Sequence, residues 1–201
     1  MMKSLFGAAV AALLLAAAGS DAEANCDPGK PGSELSGEEA EALYKCISAS
    51  LVEGYKKGDK RWIPKDFVDD YRSWTLASRF PAASGFHGGR FLMTYVNPTG
   101  ADSYMEYKEE NVVIPAGTRL AKESFSVTDA GKLRKGPLFM MEKMPFGTSP
   151  RTNDWYYMMV SPEGAPLAVN VYTACSECHQ GNFGYQGDLG YPVPEARVHK
   201  R

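Results

Sequence analysis

Histidine is scarce in this chain: three residues among 201, at positions 87, 179 and 199. Cysteine is limited to four, at 26, 46, 175 and 178. That is too few for a disulfide-dense scaffold, and so few histidines leave little material for a multi-histidine metal cage. An excess of either charge is also missing. The 22 Lys and Arg stand against 24 Asp and Glu, a net of -2, so no field gathers nucleic acid or an anionic membrane surface. After the first two dozen residues no apolar run approaches the length that crosses a bilayer. There is no internal repeat and no low-complexity segment beyond that start.

The one long apolar stretch opens the sequence. Met1-Met2-Lys3 leads into an uncharged run from Leu5 to Ala18, then into Ala22-Glu23-Ala24, a small-x-small cleavage site. Residues 1–24 therefore read as a secretory signal peptide, and the expected compartment is the periplasm. Its removal takes Lys3, Asp21 and Glu23 and leaves 21 basic against 22 acidic side chains, a net of -1. A lipid anchor on Cys26 is disfavoured, because Glu23-Ala24-Asn25 lacks the Leu and small residues that should precede a modified cysteine.

The sequence is organised around Cys175-Ser176-Glu177-Cys178-His179. Two thiols separated by two residues and followed at once by an imidazole form the c-type haem attachment pattern. Each thiol adds across one porphyrin vinyl group, and the adjacent histidine ligates iron. Cys175 and Cys178 are thus the expected thioether anchors, His179 the proximal iron ligand, and a single covalent haem c the expected cofactor. Plainer readings compete. A redox dithiol expects a βαβ context and gives His179 no role; a zinc site lacks a fourth ligand at standard spacing from these three; a chance match among structural disulfides is the third. Cys26 and Cys46 remain, and in an oxidising compartment they are expected to form a disulfide tying the N-terminal segment to the first helix.

Taken in order, residues 25–35 are rich in Gly, Pro, Asp and Ser and read as a loop. Ser36-Gly37-Glu38-Glu39 is a capping box, and Ala40, Leu43, Tyr44, Ile47 and Leu51 follow at helical spacing, so a helix is expected over 37–57. Pro64 opens a second segment with Phe67, Tyr71 and Trp74 on one helical face, ending by Pro81. Strands are expected over 90–97, 118–128, 137–144, 154–160 and 166–171, separated by Gly, Pro and Asn turns, with a short helix over 101–110. The tail from Gly181 to Gly190 reads as a loop able to pack over a haem edge. The fold class is α+β: an antiparallel sheet with N-terminal helices and a C-terminal CxxCH helix that binds haem. The domains are the signal peptide at 1–24, a helical extension with the disulfide at 25–63, and a haem domain at 64–201.

Small electron-carrier cytochromes attach haem near the N-terminus of an all-helical chain, whereas this motif lies behind a β-rich body. The ordered fragments are Tyr71-Arg72-x-Trp74 after Pro64-Lys65, then Tyr95-Val96-Asn97-Pro98 followed by Tyr104, and Pro115-x-Gly117-Thr118-x-x-x-Lys122-Glu123. Phe139-Met140 with Glu142, Asp154-Trp155 and the CxxCH complete the series. Over roughly residues 64–182 the chain resembles the cytochrome P-460 and cytochrome c′-beta family of secreted mono-haem proteins. The resemblance implies His179 on one side of the iron and an open position on the other. It implies oxidation of hydroxylamine to nitrous oxide or related nitrogen oxides with a periplasmic electron acceptor, and a homodimer. In the family's enzymes the lysine at the position of Lys122 is bonded to the porphyrin edge, while relatives without that bond bind nitric oxide without known turnover of hydroxylamine. Leu92 is a departure, standing where some family enzymes place a distal arginine.

Lys122 has a plain reading beside the cross-link. With Leu120, Ser124 and Ser126 it shares the more polar face of its strand, and such a lysine is usually solvated. Glu123 should point the other way, which makes Glu142 the candidate distal base; its plain reading is a surface carboxylate paired with Lys143 or Arg119. His87, in Ser84-Gly85-Phe86-His87-Gly88-Gly89, reads as a turn residue, with a pocket role as the alternative. Met140, Met141, Met144, Met158 and Met159 read as core filling, although a methionine sixth ligand would give an electron-transfer cytochrome. Phe91, Phe125 or Phe139 is expected to wall an apolar, five-coordinate site open to small gases. The leading expectation is a periplasmic haem oxidoreductase acting on hydroxylamine; a non-catalytic nitric oxide binder is the alternative.

Overall fold

Ser36 opens the first helix with a complete capping box. Its hydroxyl accepts from the Glu39 amide at 3.2 Å, and the Glu39 carboxylate accepts from the Ser36 amide at 2.8 Å. In the computed structural model, which describes residues 25–199 and so leaves the expected signal peptide outside, this helix (α1) spans Gly37–Lys56. Ala40, Tyr44, Ile47, Leu51 and Tyr55 form its buried face. Cys46 on α1 is bonded to Cys26, with Cα atoms 6.0 Å apart, which pins the preceding loop.

The second segment is shorter than its aromatic spacing implies. Helix α2 covers Lys65–Asp70, a 3-10 turn follows at Tyr71–Ser73, and Trp74 is already extended. The Trp74 ring still packs edge-on against Phe67 at 5.1 Å. The aromatic contact is kept while the helix is not, because Thr75–Leu76 (β1) is claimed by the sheet.

The remaining strands are Ala82–Ala83 (β2), Phe91–Val96 (β3), Arg119–Val127 (β4), Leu133–Lys135 (β5), Leu138–Lys143 (β6), Trp155–Val160 (β7) and Pro166–Val169 (β8). They form one sheet in the order β1-β3-β4-β6-β7-β8, with β2 also on β3 and β5 also on β4. The paired strands are antiparallel. The fold is thus α+β with an antiparallel sheet and a few helices. The expected helix over 101–110 lies earlier, at Pro98–Tyr104 (α3). The Asn97 side chain caps it by accepting from the Gly100 amide, and Pro98 takes the first helical position. Asn97-Pro98-Thr99-Gly100 starts a helix where it was expected only to break a strand.

Both sheet faces are covered, so β3 is buried along its whole length. One face presents Phe91, Met93 and Tyr95 of β3, Ala121 and Phe125 of β4, and Leu138 and Met140 of β6 to α1 and α2. The other presents Val96, Leu120, Met141, Trp155 and Tyr157, which pack with Tyr104, Tyr107 and Leu189. This second face and the C-terminal helix Glu177–Phe183 (α4) enclose the site.

Candidate functional site

The CxxCH stretch straddles a change of winding. Tyr172–Ser176 forms a π-helical turn and α4 follows directly, so Cys175 sits in the wide turn while Cys178 and His179 lie on α4. Such π-turns inside helices are frequent at functional sites. Both thiols are free, Cys175 half-buried and Cys178 exposed. Among the described residues no three His, Cys, Asp or Glu side chains are grouped so as to hold a metal ion, and the geometry offers zinc no cage.

His179 is buried, and its Nδ1 lies 2.8 Å from the Asp188 carbonyl. A carbonyl only accepts, so Nδ1 carries the proton and Nε2 keeps a free lone pair. Burial lowers the imidazole pKa to about 4, which keeps the ring neutral, as a ligand must be. The carbonyl is itself held in place. The Trp155 indole donates to the Gly187 carbonyl at 3.1 Å, and the Asn153 amide donates to the Asp188 carboxylate at 3.1 Å. Metal-ligating histidines are oriented by such partners. Sequence reasoning saw only a loop over 181–190; the decisive group is a backbone carbonyl, which has no side-chain signature.

A cavity of about 580 Å³ adjoins these groups, bordered by both thiols and His179. Its floor is two rungs of the sheet. Leu120, Met141 and Tyr157 stand in register in one, and Lys122, Phe139, Met159 and Ala168 in the next. The site fits the haem that the motif implies: a large apolar volume for a flat macrocycle, two unpaired thiols at its border, and a neutral imidazole with one nitrogen free.

Lys122 is not solvated. It is 6% exposed, its Nζ donates to the Gly190 carbonyl at 2.5 Å, and it lines the cavity. Burial pushes its pKa down to about 8. The C-terminal segment covers a face that looked polar from sequence alone. Leu92, at the departure from the family pattern, borders a small void beside Lys122.

Glu142 is not a distal base. It does not border the cavity; it shares the parity of Met140, which packs toward the helices, and Arg119 donates to it at 3.0 Å. Glu123 is likewise on the far face, 1% exposed, bonded to Tyr44 and Arg72. Phe91 and Phe125 stack on each other against the helices, and of the three expected wall phenylalanines only Phe139 borders the cavity. Met140, Met141, Met158 and Met159 border it; Met144 does not.

His87 is the residue that the glycine context obscured. The loop between β2 and β3 carries it into the cavity, where its ring lies 4.4 Å from Phe139 and 6.1 Å from His179. Phe86 beside it packs edge-on against Phe183 of α4 at 5.0 Å, fastening the loop across the cavity.

No helix among the described residues is long and apolar enough to cross a membrane. Comparison with curated proteins finds no match. The model of a family described as Cytochrome P460 matches residues 68–185, from within α2 through the helix that bears His179. This span is more than half of the chain and holds Lys122 and all of the CxxCH. The chain belongs to the cytochrome P460 family of haem proteins.

Proposed function

We propose that one haem c is attached through Cys175 and Cys178, with His179 as proximal ligand, in an exported periplasmic protein that oxidises hydroxylamine. The observation that carries this reading is Lys122. Its amine is buried at the edge of the cavity bordered by the thiols and His179, and burial holds it down to about 8, so a substantial neutral fraction is nucleophilic near physiological pH. Such an amine is suited to a covalent bond with a porphyrin edge, formed as a porphyrin C–H and an amine N–H are lost with two protons and two electrons, the electrons passing to a two-electron oxidant such as a peroxide. The haem supplies the iron that holds the nitrogen substrate and accepts its electrons.

The chain's own residues then have separable tasks. The Asp188 carbonyl orients His179, and Leu120, Phe139 and Met141 keep water from the site. Converting two hydroxylamines to one nitrous oxide and one water releases four electrons and four protons. The electrons require a periplasmic acceptor, and His87 is a cavity group able to take a proton.

Lys122→Leu tests the reading. The loaded wild-type protein should show a strongly red-shifted ferrous Soret band and multiple turnovers with hydroxylamine and an electron acceptor. The variant should keep its haem by intact mass, return to an ordinary ferrous spectrum, and lose turnover at least a hundredfold. Full activity in the variant would remove Lys122 from the mechanism. One observation favours a second reading, a nitric oxide binder without turnover: among the described residues none that borders the cavity is a carboxylate. That protein would bind nitric oxide in the ferrous state and leave hydroxylamine untouched.

A further inference from the structure

We propose that His87 is the second axial ligand of the iron, opposite His179, and that any small ligand must displace it. This rests on the haem assignment above and concerns the position across from the proximal histidine.

The distance decides between two roles. Two imidazoles on opposite sides of one metal place their ring centres about 6 Å apart, since each nitrogen stands about 2 Å from the metal and about 1 Å from its ring centre. A distal base that hydrogen-bonded in line to an iron-bound ligand would need about 9 Å, the extra length being the ligand atom and one hydrogen bond. The His87 and His179 ring centres are 6.1 Å apart, with planes inclined at 55°. That spacing admits a metal atom and leaves no room for a ligand in line.

The surroundings of His87 agree. Its Nδ1 is buried and has no hydrogen-bond partner, a cost that coordination through that nitrogen would remove. Phe139 lies under its ring at 4.4 Å, which supports the imidazole without competing for its nitrogens. The loop also has what displacement requires. Gly85, Gly88 and Gly89 have positive φ, and a Cβ at any of them would meet nothing within 4 Å. The segment is lightly packed, and the Phe86–Phe183 contact is the fastening that its movement would release.

The test uses haem-loaded protein and two variants. His87 has φ 53°, so His87→Gly removes the ligand without backbone strain, and His87→Asn tolerates the same conformation should the glycine variant fold poorly. Ferric wild type should be low-spin by electron paramagnetic resonance and optical spectrum. Its cyanide binding rate should level off as cyanide rises, because departure of His87 becomes limiting. The variants should be high-spin and bind cyanide at least tenfold faster with no plateau, and added imidazole should restore the low-spin spectrum of His87→Gly. A high-spin wild type, or variants that remain low-spin, would overturn the ligand role while leaving the haem assignment intact. Protein with no covalent haem by intact mass would overturn both.

Discussion

Glu123 and Lys122 are neighbours in β4, yet the pleat sends them to opposite faces and opposite kinds of burial. Lys122 donates to the Gly190 carbonyl and enters the cavity. Glu123 is satisfied on the helix side: Tyr44 donates at 2.6 Å, Tyr71 donates as well, and the Arg72 guanidinium approaches through Nε at 2.5 Å and Nη2 at 2.7 Å. The Glu123 side chain is 0% exposed against 31% for Arg72, so the guanidinium reaches in from the edge to a fully desolvated carboxylate. Arg72→Met should therefore strand that charge and cost about 3 kcal/mol of unfolding free energy, read by urea denaturation. The haem spectrum should be unchanged, because the sheet lies between Arg72 and the cavity. These are two of the sequence fragments that carried the family resemblance, Tyr71-Arg72 and Lys122-Glu123. Their meeting was not legible, since a bond between residues 51 positions apart leaves no local pattern. The CxxCH reading, by contrast, needed only five consecutive residues.

Among the elements, the loop from β6 to β7 matters because it delivers Asn153, and with it Trp155 at the start of β7, to the turn that orients His179. Asp154 holds that loop. Its carboxylate accepts from the Ser149 amide at 2.7 Å and from the Gly147 amide at 2.9 Å, and these bonds, Ser149 first, keep its pKa below the usual carboxylate value. A lowered folded-state pKa stabilises the protein above the ordinary carboxylate range, and the contribution disappears as pH falls toward the lowered value. Thermal stability of the wild type should thus fall more steeply between about pH 5 and pH 3 than that of Asp154→Asn, which fits the same positive-φ backbone. Strand positions were readable from their turns, to within about two residues at most ends. Helices were harder: α3 was displaced because Asn97-Pro98 serves equally as a strand breaker and a helix start, and only the Gly100 amide on the Asn97 side chain decides. Assigning Glu142 to the cavity was an error of parity in β6, avoidable only with the register to β4.

At the scale of the whole molecule, α1 lies outside the residues that match the family and inside the core that supports them. Tyr44, Ile47, Leu51 and Tyr55 are buried there, and at about 2 kcal/mol apiece their removal would cost roughly 8 kcal/mol, comparable with the whole stability of an ordinary domain. It would also take Tyr44 from Glu123. A fragment of residues 64–201 should accordingly unfold without a cooperative transition by calorimetry, whereas the chain from residue 25 should unfold in one step.

The bonded Cys26–Cys46 pair beside the free Cys175 and Cys178 sets a maturation problem in the export reading. Four cysteines allow three complete pairings. The first two are 20 residues apart, while a wrong bond from Cys46 to Cys175 closes a loop about six times longer at an entropic cost greater by about 1.5 kcal/mol. Order of emergence and loop length therefore both seal the first pair early. The short loop between Cys175 and Cys178 has no such protection, so the proposed haem attachment requires oxidant at the head of the chain and reductant at its tail before the vinyl groups arrive.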